Sequence, residues 1–406
     1  MTPEIKQRID KICHGEVPEG YQRTFLGIAP KSWDKSRIDK ICRLSSGSTP
    51  RRDAVENFAG DILWVTSGEL KRRTIEDTRE KISETAVVNS HLEIYDPGTV
   101  VIAIYGLEAA GIRGTVSIIG KQCTISQACM AFTEFKGIDN EFFYYWYLNN
   151  GQVIGLRYAQ GTKQQNLSTD IVGSFPICFP SQGEQQKIAA ILTTQDRVIE
   201  LKEKRLAEKQ RQKKYLMQQL LTGKKRLPGF SEEWKKVKIG SFIKEIDERS
   251  TVNNQYEILS VTKNGMVFQS SHFNKQIASE NNVGYKVVRR GNLAFSTMNL
   301  WMGSLDTLRI CDTGIVSPAY KVFEFNQSLI VVNFAENYMK SAEMIWLYKA
   351  NSEQGASIVR RNLDLQALLN SEVALPDISE QTAIAEVLSA ADHEIDLLRQ
   401  DIEQEK

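Results

Sequence analysis

The sequence is poor in the residues that build metal sites and disulfide frameworks. It contains four histidines, and none of its six cysteines forms a CxxC pair. Neither a zinc site nor a disulfide scaffold is therefore indicated, and a reduced, cytoplasmic compartment is expected. The chain also lacks an apolar segment near its N-terminus and any apolar run long enough to cross a bilayer. Secretion and membrane spanning are therefore not expected.

Motifs for common enzyme chemistry are missing as well. Gly223-Lys224-Lys225 lacks both the upstream glycine and the hydroxyl residue of a phosphate-binding loop, and no GxGxxG follows a predicted strand. No Asn/Asp-Pro-Pro-aromatic motif of an amino-methyltransferase occurs. We expect a chain that is not an enzyme and has no cofactor or metal of its own. Two function classes stay open as alternatives to the interpretation developed below. One is a self-contained DNA nuclease or methyltransferase with an unrecognised site, and the other is a coiled-coil scaffold that binds only protein.

The longest helical pattern in the chain runs from Glu184 to Gly223. Its apolar residues Leu192, Ile199, Leu206 and Leu220 recur at multiples of seven, and neither proline nor glycine interrupts them. Gly223 is a suitable left-handed cap for the helix. At 1.5 Å per residue this helix is roughly 60 Å long, more than one small domain needs. It is therefore predicted to connect two bodies.

A second copy of this pattern lies at the C-terminus, from Glu380 to Lys406. It repeats the start of the first copy 196 positions later, and its apolar residues step by four and three as a coiled-coil seam requires. This copy stops at Lys406, which corresponds to Gln210 of the first copy, so Arg211 to Gly223 has no counterpart there. Pro3 to Gly15 has the same length as that unmatched part. The second helix is therefore predicted to be split between the two termini. Such a circular arrangement implies a pseudo-two-fold axis and neighbouring chain ends.

The charges of the two predicted helices are opposite. Residues 200–226 contain ten lysines or arginines and three glutamates, whereas residues 379–406 contain eight acids and two bases. Antiparallel pairing would place these charges opposite each other, which specifies the pairing more than it stabilises it. Two solvated faces that never meet are the alternative. The overall net charge of +1 is not typical of a nucleic-acid binder, so the distribution of charge is more informative than its sum.

The segments between the helices also resemble each other. Both of these long segments have the pattern of mixed α/β structure with short strands. Within them, GDILWVTSGEL at 60–70 matches YEILSVTKNGM at 256–266, again 196 positions apart. The similarity extends to polar positions and to the order of elements. This indicates a duplication, and not merely two similar apolar cores.

These features resemble the specificity subunits of type I restriction-modification enzymes. The resemblance covers essentially the whole chain and rests on LLTGKKRLPGF at 220–230, on the EQ-x-x-IA helix starts at 184 and 380, and on SGSTPRR (46–52), ILWVTSGEL (62–70) and GTKQQNLS (161–168). The second half departs from it, with no SGSTP motif and with GASIVRRNLD at 355–364. The resemblance implies an α/β (α+β) fold with two similar target-recognition domains separated by two long antiparallel coiled-coil helices. The implied boundaries are an N-terminal helix at 1–15, domains at 16–180 and 224–378, and helices at 181–223 and 379–406.

The resemblance further implies what the chain binds. Each domain would read one half of an asymmetric, bipartite site in double-stranded DNA, and the helices would set the spacing and dock two modification subunits. Those subunits would bind S-adenosylmethionine, and restriction subunits would use ATP and Mg²⁺.

Flexible polar loops at strand ends are the residues expected to contact DNA, because they can present donors and acceptors to base edges and cations to phosphates. The predicted loops are 48–52, 66–73, 106–114 and 163–166 in the first domain and 262–264, 296–301 and 360–362 in the second. A solvated turn is the alternative for each loop. In the first domain the predicted DNA-binding residues are Ser48, Thr49, Arg51, Arg52, Ser67, Lys71, Arg72, Arg73, Arg113, Lys163, Gln164 and Gln165. In the second domain they are Thr262, Lys263, Asn264, Asn299, Trp301, Arg360 and Arg361.

Overall fold

The computed structural model describes residues 2–104, 115–158, 167–262, 265–272, 281–354 and 361–406. It divides into two compact units, Met1–Val198 and Ile199–Lys406. Each unit combines helices with short strands, so the predicted two-domain α/β fold class is confirmed. Among the helices of the described ranges, none combines the length and the hydrophobicity that crossing a bilayer requires.

In its described residues, the first unit contains five α-helices and the start of a sixth. They are α1 (Pro3–Cys13), α2 (Ile38–Ile41), α3 (Glu84–Asn89), α4 (Asn140–Tyr158), α5 (Thr169–Gly173) and α6 (Gln182–Leu220), which continues into the second unit. Its strands are β1 (Tyr21–Thr24), β2 (Gly27–Pro30), β3 (Asp34–Arg37), β4 (Arg43–Ser46), β5 (Ile62–Val65), β6 (Thr74–Ile75), β7 (Lys81–Ile82), β8 (Val100–Ala103), β9 (Val116–Ile119), β10 (Cys123–Ile125), β11 (Cys129–Thr133) and β12 (Pro176–Phe179).

A five-stranded sheet of order β4-β11-β8-β9-β6 forms the centre of the first unit, and a three-stranded sheet of order β10-β5-β7 lies beside it. Strand β8 is apolar throughout because both of its faces are buried. Val100 and Ile102 pack with the aromatic residues of α4, while Val101 and Ala103 pack with Ile125 of the smaller sheet. The continuous apolar run of β8 therefore reflects a strand that is covered on two sides.

The second unit has the same kind of architecture. Its helices are α7 (Ile239–Phe242), α8 (Gln269–His272), α9 (Val332–Tyr338), α10 (Ala342–Ala350), α11 (Leu365–Asn370) and α12 (Ile378–Glu405). Its strands are β13 (Lys235–Lys238), β14 (Ile243–Ile246), β15 (Leu259–Thr262), β16 (Gly265–Phe268), β17 (Lys286–Arg289), β18 (Leu293–Ser296), β19 (Leu305–Thr307), β20 (Thr313–Val316), β21 (Tyr320–Phe325), β22 (Ser352–Gln354), β23 (Arg361–Leu363) and β24 (Glu372–Leu375). The largest sheet has the order β14-β21-β18-β19.

Helix α12 pairs antiparallel with the part of α6 that belongs to the second unit. Lys202 near the start of this part lies 2.7 Å from Glu405, whereas Lys209 further along lies 2.9 Å from Glu394. The apolar seam of α12 is buried at Ile384, Leu388, Ile395 and Ile402. The predicted pairing of a basic helix with an acidic one is therefore confirmed, and the alternative of two separate solvated faces is wrong.

The ends of the long helices follow the sequence signals. Gly223, just past α6, has a φ of 66°, the left-handed value that glycine adopts without strain. Helix α1 forms over Pro3–Cys13, with the side chain of Thr2 capping it. That α1 completes the second conserved helix, and that the chain ends lie close together, stay predictions.

A buried glutamine anchors the start of α6. Gln185 is fully buried, and its side-chain carbonyl accepts a hydrogen bond from the amide of Asp139 at 2.8 Å. Its amide group donates to the carbonyl of Pro180 at 2.9 Å and to that of Gly137 at 3.0 Å. One side chain therefore satisfies three backbone groups where the helix meets the domain.

The second unit repeats this arrangement at the start of α12. Gln381, also fully buried, accepts from the amide of Val331 at 2.8 Å and donates to Pro376 at 2.9 Å and to Leu329 at 3.0 Å. The two sets of three bonds agree within the precision of the distances. The duplication inferred from the sequence thus extends to buried polar contacts, which a shared apolar core alone does not require.

Candidate nucleic-acid interface

A tight turn at Ser126–Ala128 connects β10 and β11 in the first unit. The carbonyl of Ser126 accepts a hydrogen bond from the amide of Cys129 at 2.9 Å, and its hydroxyl accepts from the amide of Ala128 at 3.3 Å. A serine hydroxyl bonded to an amide two residues later stabilises turns. The backbone of this turn is therefore well fixed.

The predicted loop Ser48–Arg52 begins against this turn. The amide of Ser48 donates to the carbonyl of Ile125 at 3.2 Å, and the amide of Gly47 donates to that of Cys129 at 3.3 Å. A Cβ atom on Gly47 would lie 1.9 Å from the carbonyl oxygen of Ile125. Only glycine allows the two backbones to approach so closely.

The predicted loop Thr66–Arg73 begins at the same place. The carbonyl of Val65, at the end of β5, accepts from the amide of Ser126 at 2.8 Å. Thr66 and Glu69 then form a reciprocal capping box around the short 3₁₀ helix Ser67–Glu69. This capping box fixes the backbone that carries Ser67.

The anchors of the two remaining loops of the first domain converge on the same turn. The amide of Ile104 donates to the carbonyl of Ala128 at 2.9 Å, and the amide of Leu167 donates to the carbonyl of Ile104 at 3.0 Å. The loops predicted at 106–114 and 163–166 lie outside the described residues and are adjacent in sequence to these anchors. The structure therefore brings the anchors of all four predicted loops together.

Arg52 is held by an acid and two aromatic rings. Its guanidinium forms a double ion pair with Glu80, at 2.5 and 3.0 Å, and lies 4.7 Å from the ring centre of Phe58 and 5.2 Å from that of Trp64. Hydrogen bonding to Glu80 raises the pKa of Arg52. The indole of Trp64 also donates to the carbonyl of Ser48 at 3.2 Å, so the loop and the guanidinium are oriented together. Arg51 is more exposed and pairs with Asp53 at 2.7 Å.

Arg73 is engaged inside the unit. It forms an ion pair with Glu141 of α4, lies 3.6 Å from Asp196 of α6, and stacks near the rings of Tyr144 and Tyr145. Its side chain is only 27% exposed. These contacts favour a structural role that joins the edge of the sheet to both helices. Its prediction as a DNA contact stays untested.

Lys71 and Arg72 differ from these arginines. Both side chains are exposed, and within the described ranges neither forms an ion pair. The hydroxyl of Ser117, next to the start of β9, donates to the carbonyl of Arg72 at 2.7 Å. This contact places the pair near the C-terminal end of β8, which pairs with the start of β9. Their charges are available to phosphates.

Replacing Lys71 by alanine is expected to weaken DNA binding at all sequences and to lower the slope of log affinity against log salt by about one. The reason is that each phosphate neutralised by a protein cation releases about one condensed counterion from the DNA. Filter binding or anisotropy across a salt series measures the slope. Lys121→Ala is the matched control, because Lys121 is an exposed lysine at the opposite end of β10. An equal slope change in both variants would contradict the assignment.

In the second unit the structure brings together Asn299, Trp301 and Arg361. The guanidinium of Arg361 lies 5.2 Å from the ring centre of Trp301, and its backbone amide donates to the carbonyl of Met298 at 3.4 Å. The loop after β18, which carries Asn299 and Trp301, therefore lies beside the hairpin that carries Arg361. The indole Nε1 of Trp301 is buried without a hydrogen-bond partner among the described residues.

Thr262 belongs to the same region. The hydroxyl of Ser304, at the end of the loop after β18, donates to the carbonyl of Val261 at 3.3 Å, and Thr262 itself bonds to the carbonyl of Gly265 at 2.8 Å. The described residues of the predicted loops in the second domain thus come together, as the loop anchors of the first domain do. The predicted residues that lie outside the described part of the chain are Arg113, Lys163, Gln164, Gln165, Lys263, Asn264 and Arg360.

Sequence reasoning missed three elements of this region: the orienting carboxylate of Glu80, the supporting ring of Trp64, and the turn at 126–128. The turn left a signal in the sequence, because ISQACMAF at 125–132 matches VSPAYKVF at 316–323. Glu80 left none, and the ILWVTSGEL motif that contains Trp64 does not reveal the contact of this ring with Arg52, since both roles depend on partners distant in the chain.

Three of the cysteine thiols are buried and are poor nucleophiles at neutral pH. Burial raises the pKa of the Cys42, Cys123 and Cys129 thiols to about 12, so all three are protonated at neutral pH. In the part of the chain that the structure describes, no group of three or more histidine, cysteine or acidic side chains could hold a metal ion. The arrangement offers donors, acceptors and cations for recognition.

Two similar α/β units, each with the anchors of its predicted polar loops gathered at one end, form the architecture expected of a modular recognition protein. The family model described as "Type I restriction modification DNA specificity domain" matches residues 30–210 and 231–405. The chain belongs to this family, and the resemblance inferred from the sequence is confirmed.

Two curated relatives are similar to parts of the chain. The type I restriction enzyme MjaIX specificity subunit of Methanocaldococcus jannaschii is 30% identical over 188 residues, which cover 45% of this chain and 42% of the relative. The EcoR124I/EcoR124II specificity subunit of Escherichia coli is 24% identical over 175 residues, 42% of this chain and 43% of the relative. The matches therefore span less than half the length of each relative.

Solved structures resemble the chain over most of its length. The S subunit of the type I restriction-modification system of M. genitalium has a TM-score of 0.53 and 14% identity, with 92% of each chain covered. A chain from a structural study of assembly and conformational transition of the type I R-M system has a TM-score of 0.56 and 16% identity, covering 93% of this chain and 94% of that one. At these identities the likeness supports the fold alone.

Proposed function

We propose that this chain is the DNA sequence-specificity subunit of a type I restriction-modification complex. Each unit reads one half of an asymmetric, bipartite site in double-stranded DNA. The observation that carries the proposal is that the described anchors of the predicted polar loops come together at one end of each of the two similar units. Membership of a DNA specificity family supports the same conclusion.

The two units share a scaffold but differ in what they present. The buried glutamines Gln185 and Gln381 make matching hydrogen bonds at the starts of the two long helices. The polar side chains at the ends of the strands, in contrast, differ between the two units. The first unit presents Arg52 paired with Glu80, and the second presents Arg361 over Trp301. Sequence is read by the donors and acceptors that reach base edges, so different groups imply different half-sites.

The chain itself is proposed to be non-catalytic and to act in the cytoplasm. Two modification subunits would bring S-adenosylmethionine, and restriction subunits would bring ATP and Mg²⁺. The paired helices are proposed to dock the modification subunits and to set the spacing between half-sites. Leu201 and Tyr215 of α6 and Leu397 of α12 are exposed apolar side chains suited to such docking. Ion pairs with α12 neutralise much of the charge of α6, so α6 is not expected to supply DNA affinity.

Replacing residues 16–180 by the first domain of a family member with a known site should change one half-site only. Each unit has its own core and its own loop edge, so the second half-site and its recognition should persist. Methylation mapping by long-read sequencing of cells that carry the complete system measures both halves at once. The reciprocal replacement of residues 224–378 is the matched control and should change the other half.

Two results would overturn the proposal. A change of both half-sites by either single replacement would show that the units do not read DNA independently. Binding of S-adenosylmethionine by the isolated chain would favour a self-contained methyltransferase.

A further inference from the structure

The turn at Ser126–Ala128 presents one exposed side chain, that of Gln127. Ser126 is buried and Ala128 is half-buried, whereas Gln127 is exposed. Among the described residues the amide of Gln127 makes no hydrogen bond, although it offers two donors and an acceptor. The backbone that carries it is fixed by the hydrogen bonds of Ser126.

Three of the predicted loops of the first unit are anchored at this turn. The starts of two predicted loops, at Ser48 and after Val65, hydrogen-bond to it directly, and so does Ile104, the anchor of a third. Gln127 therefore projects from the point on which the candidate interface converges. Because its backbone is already ordered, binding would cost mainly the rotamer freedom of one side chain.

The chemistry of a glutamine amide suits one base in particular. In the major groove, adenine presents its N7 acceptor beside its exocyclic N6 amine. A glutamine amide can donate to N7 and accept from N6 at the same time, so adenine is its bidentate partner. A rigid turn holds such a planar group more precisely than a mobile loop does.

The second unit supplies an internal comparison. Its corresponding turn is Ser317-Pro318-Ala319, in which the carbonyl of Ser317 accepts from the amide of Tyr320 at 3.0 Å and its hydroxyl accepts from the amide of Ala319 at 3.5 Å. The turn is thus the same, but its exposed central residue is Pro318, whose side chain has neither donor nor acceptor. The duplication keeps the scaffold and changes the one group presented.

We propose that Gln127 is a specificity-determining residue of the first unit and reads an adenine in the major groove of the half-site bound by that unit. The second unit makes no equivalent contact. The proposal rests on the proposed function, since it assigns one contact within that recognition.

The test uses the full chain reconstituted with its cognate modification subunits and a randomised DNA library. The unaltered complex gives the reference bipartite motif. Gln127→Ala should lose the preference for adenine at one position of one half-site by roughly ten- to a hundredfold and leave the other half unchanged. Gln127→Glu should move the preference at that position toward cytosine, because a carboxylate accepts from the cytosine N4 amine.

Controls separate base reading from folding and from the proposed function. Gln122→Ala removes an exposed glutamine at the opposite end of β10 and should leave the motif intact. Gln127→Pro copies the residue of the second unit, so it keeps a turn that this chain already forms and should lose the same adenine preference. An unchanged motif in Gln127→Ala, or a loss of affinity equal at all sequences, would overturn the proposal. Absence of any motif for the unaltered complex would instead refute the proposed function.

Discussion

Replacing Gly47 by alanine is expected to abolish recognition of the first half-site. The added Cβ would lie 1.9 Å from the carbonyl oxygen of Ile125 and 2.4 Å from its carbonyl carbon, and backbone atoms cannot swing aside as a side-chain end can. The loop that carries Ser48 and Arg52 must therefore separate from the turn at 126–128. Overpacking of this kind costs about 3 kcal/mol of folding free energy at the upper end of its usual range. Half-site selection with the assembled complex and hydrogen exchange of residues 43–66 measure the two effects.

Gly68→Ala is the matched control for this prediction. Gly68 lies in the neighbouring predicted loop, and a Cβ there would meet only the hydroxyl of Thr66 at 3.6 Å, an ordinary contact. The variant should keep both its stability and its half-site. If Gly47→Ala and Gly68→Ala behaved alike, the close approach at Gly47 would not matter for the interface.

Long periodic elements could be predicted from the sequence because each is decided by its own residues. The seam of Ile384, Leu388, Ile395 and Ile402 follows the heptad spacing, and all four side chains are buried in α12. The pairing of α6 with α12 followed from opposite charges. Local pattern and tertiary contact agree in these helices, and such agreement is what makes a prediction from sequence reliable.

The roles of the polar loop residues could not be predicted, because their partners are distant in the chain. Arg52 and Arg73 look alike in sequence, yet one pairs with Glu80 beside an aromatic cluster and the other with Glu141 of α4. The EQ motif at the two helix starts shows the same limit. Glu184 is exposed whereas Glu380 is buried, although both precede an equivalent buried glutamine.

The burial of Glu380 has a cause that the sequence motif does not contain. Its carboxylate accepts from the guanidinium of Arg226 at 2.5 and 2.6 Å and from the indole of Trp234 at 3.1 Å. Both partners come from the junction that follows α6. The conspicuous LLTGKKRLPGF segment therefore joins α6 to α12 by supplying the cation that allows a carboxylate to be buried.

Replacing Arg226 by methionine is expected to destabilise the second unit by about 3 to 5 kcal/mol, the usual cost of leaving one member of a buried pair uncompensated. Glu380 is 1% exposed and cannot turn to water, whereas Arg226 is 25% exposed and can. Glu380→Gln should therefore cost less, about 1 to 3 kcal/mol, because it removes the buried charge and leaves an arginine that water can reach. The two ends of one ion pair should thus give unequal effects.

Urea unfolding of the full chain, with hydrogen exchange of residues 378–395 to locate the change, measures this inequality. Lys209→Met is the matched control, because it removes a cation that pairs with the more exposed Glu394 on the same two helices. Its effect should be small, since ion pairs at the surface contribute little. Equal losses for Arg226→Met and Glu380→Gln would mean that the hydrogen bonds of this junction, and not the uncompensated buried charge, determine its stability. A loss for Lys209→Met as large as that for Arg226→Met would mean that the surface pairs along α6 and α12 contribute as much as the buried one.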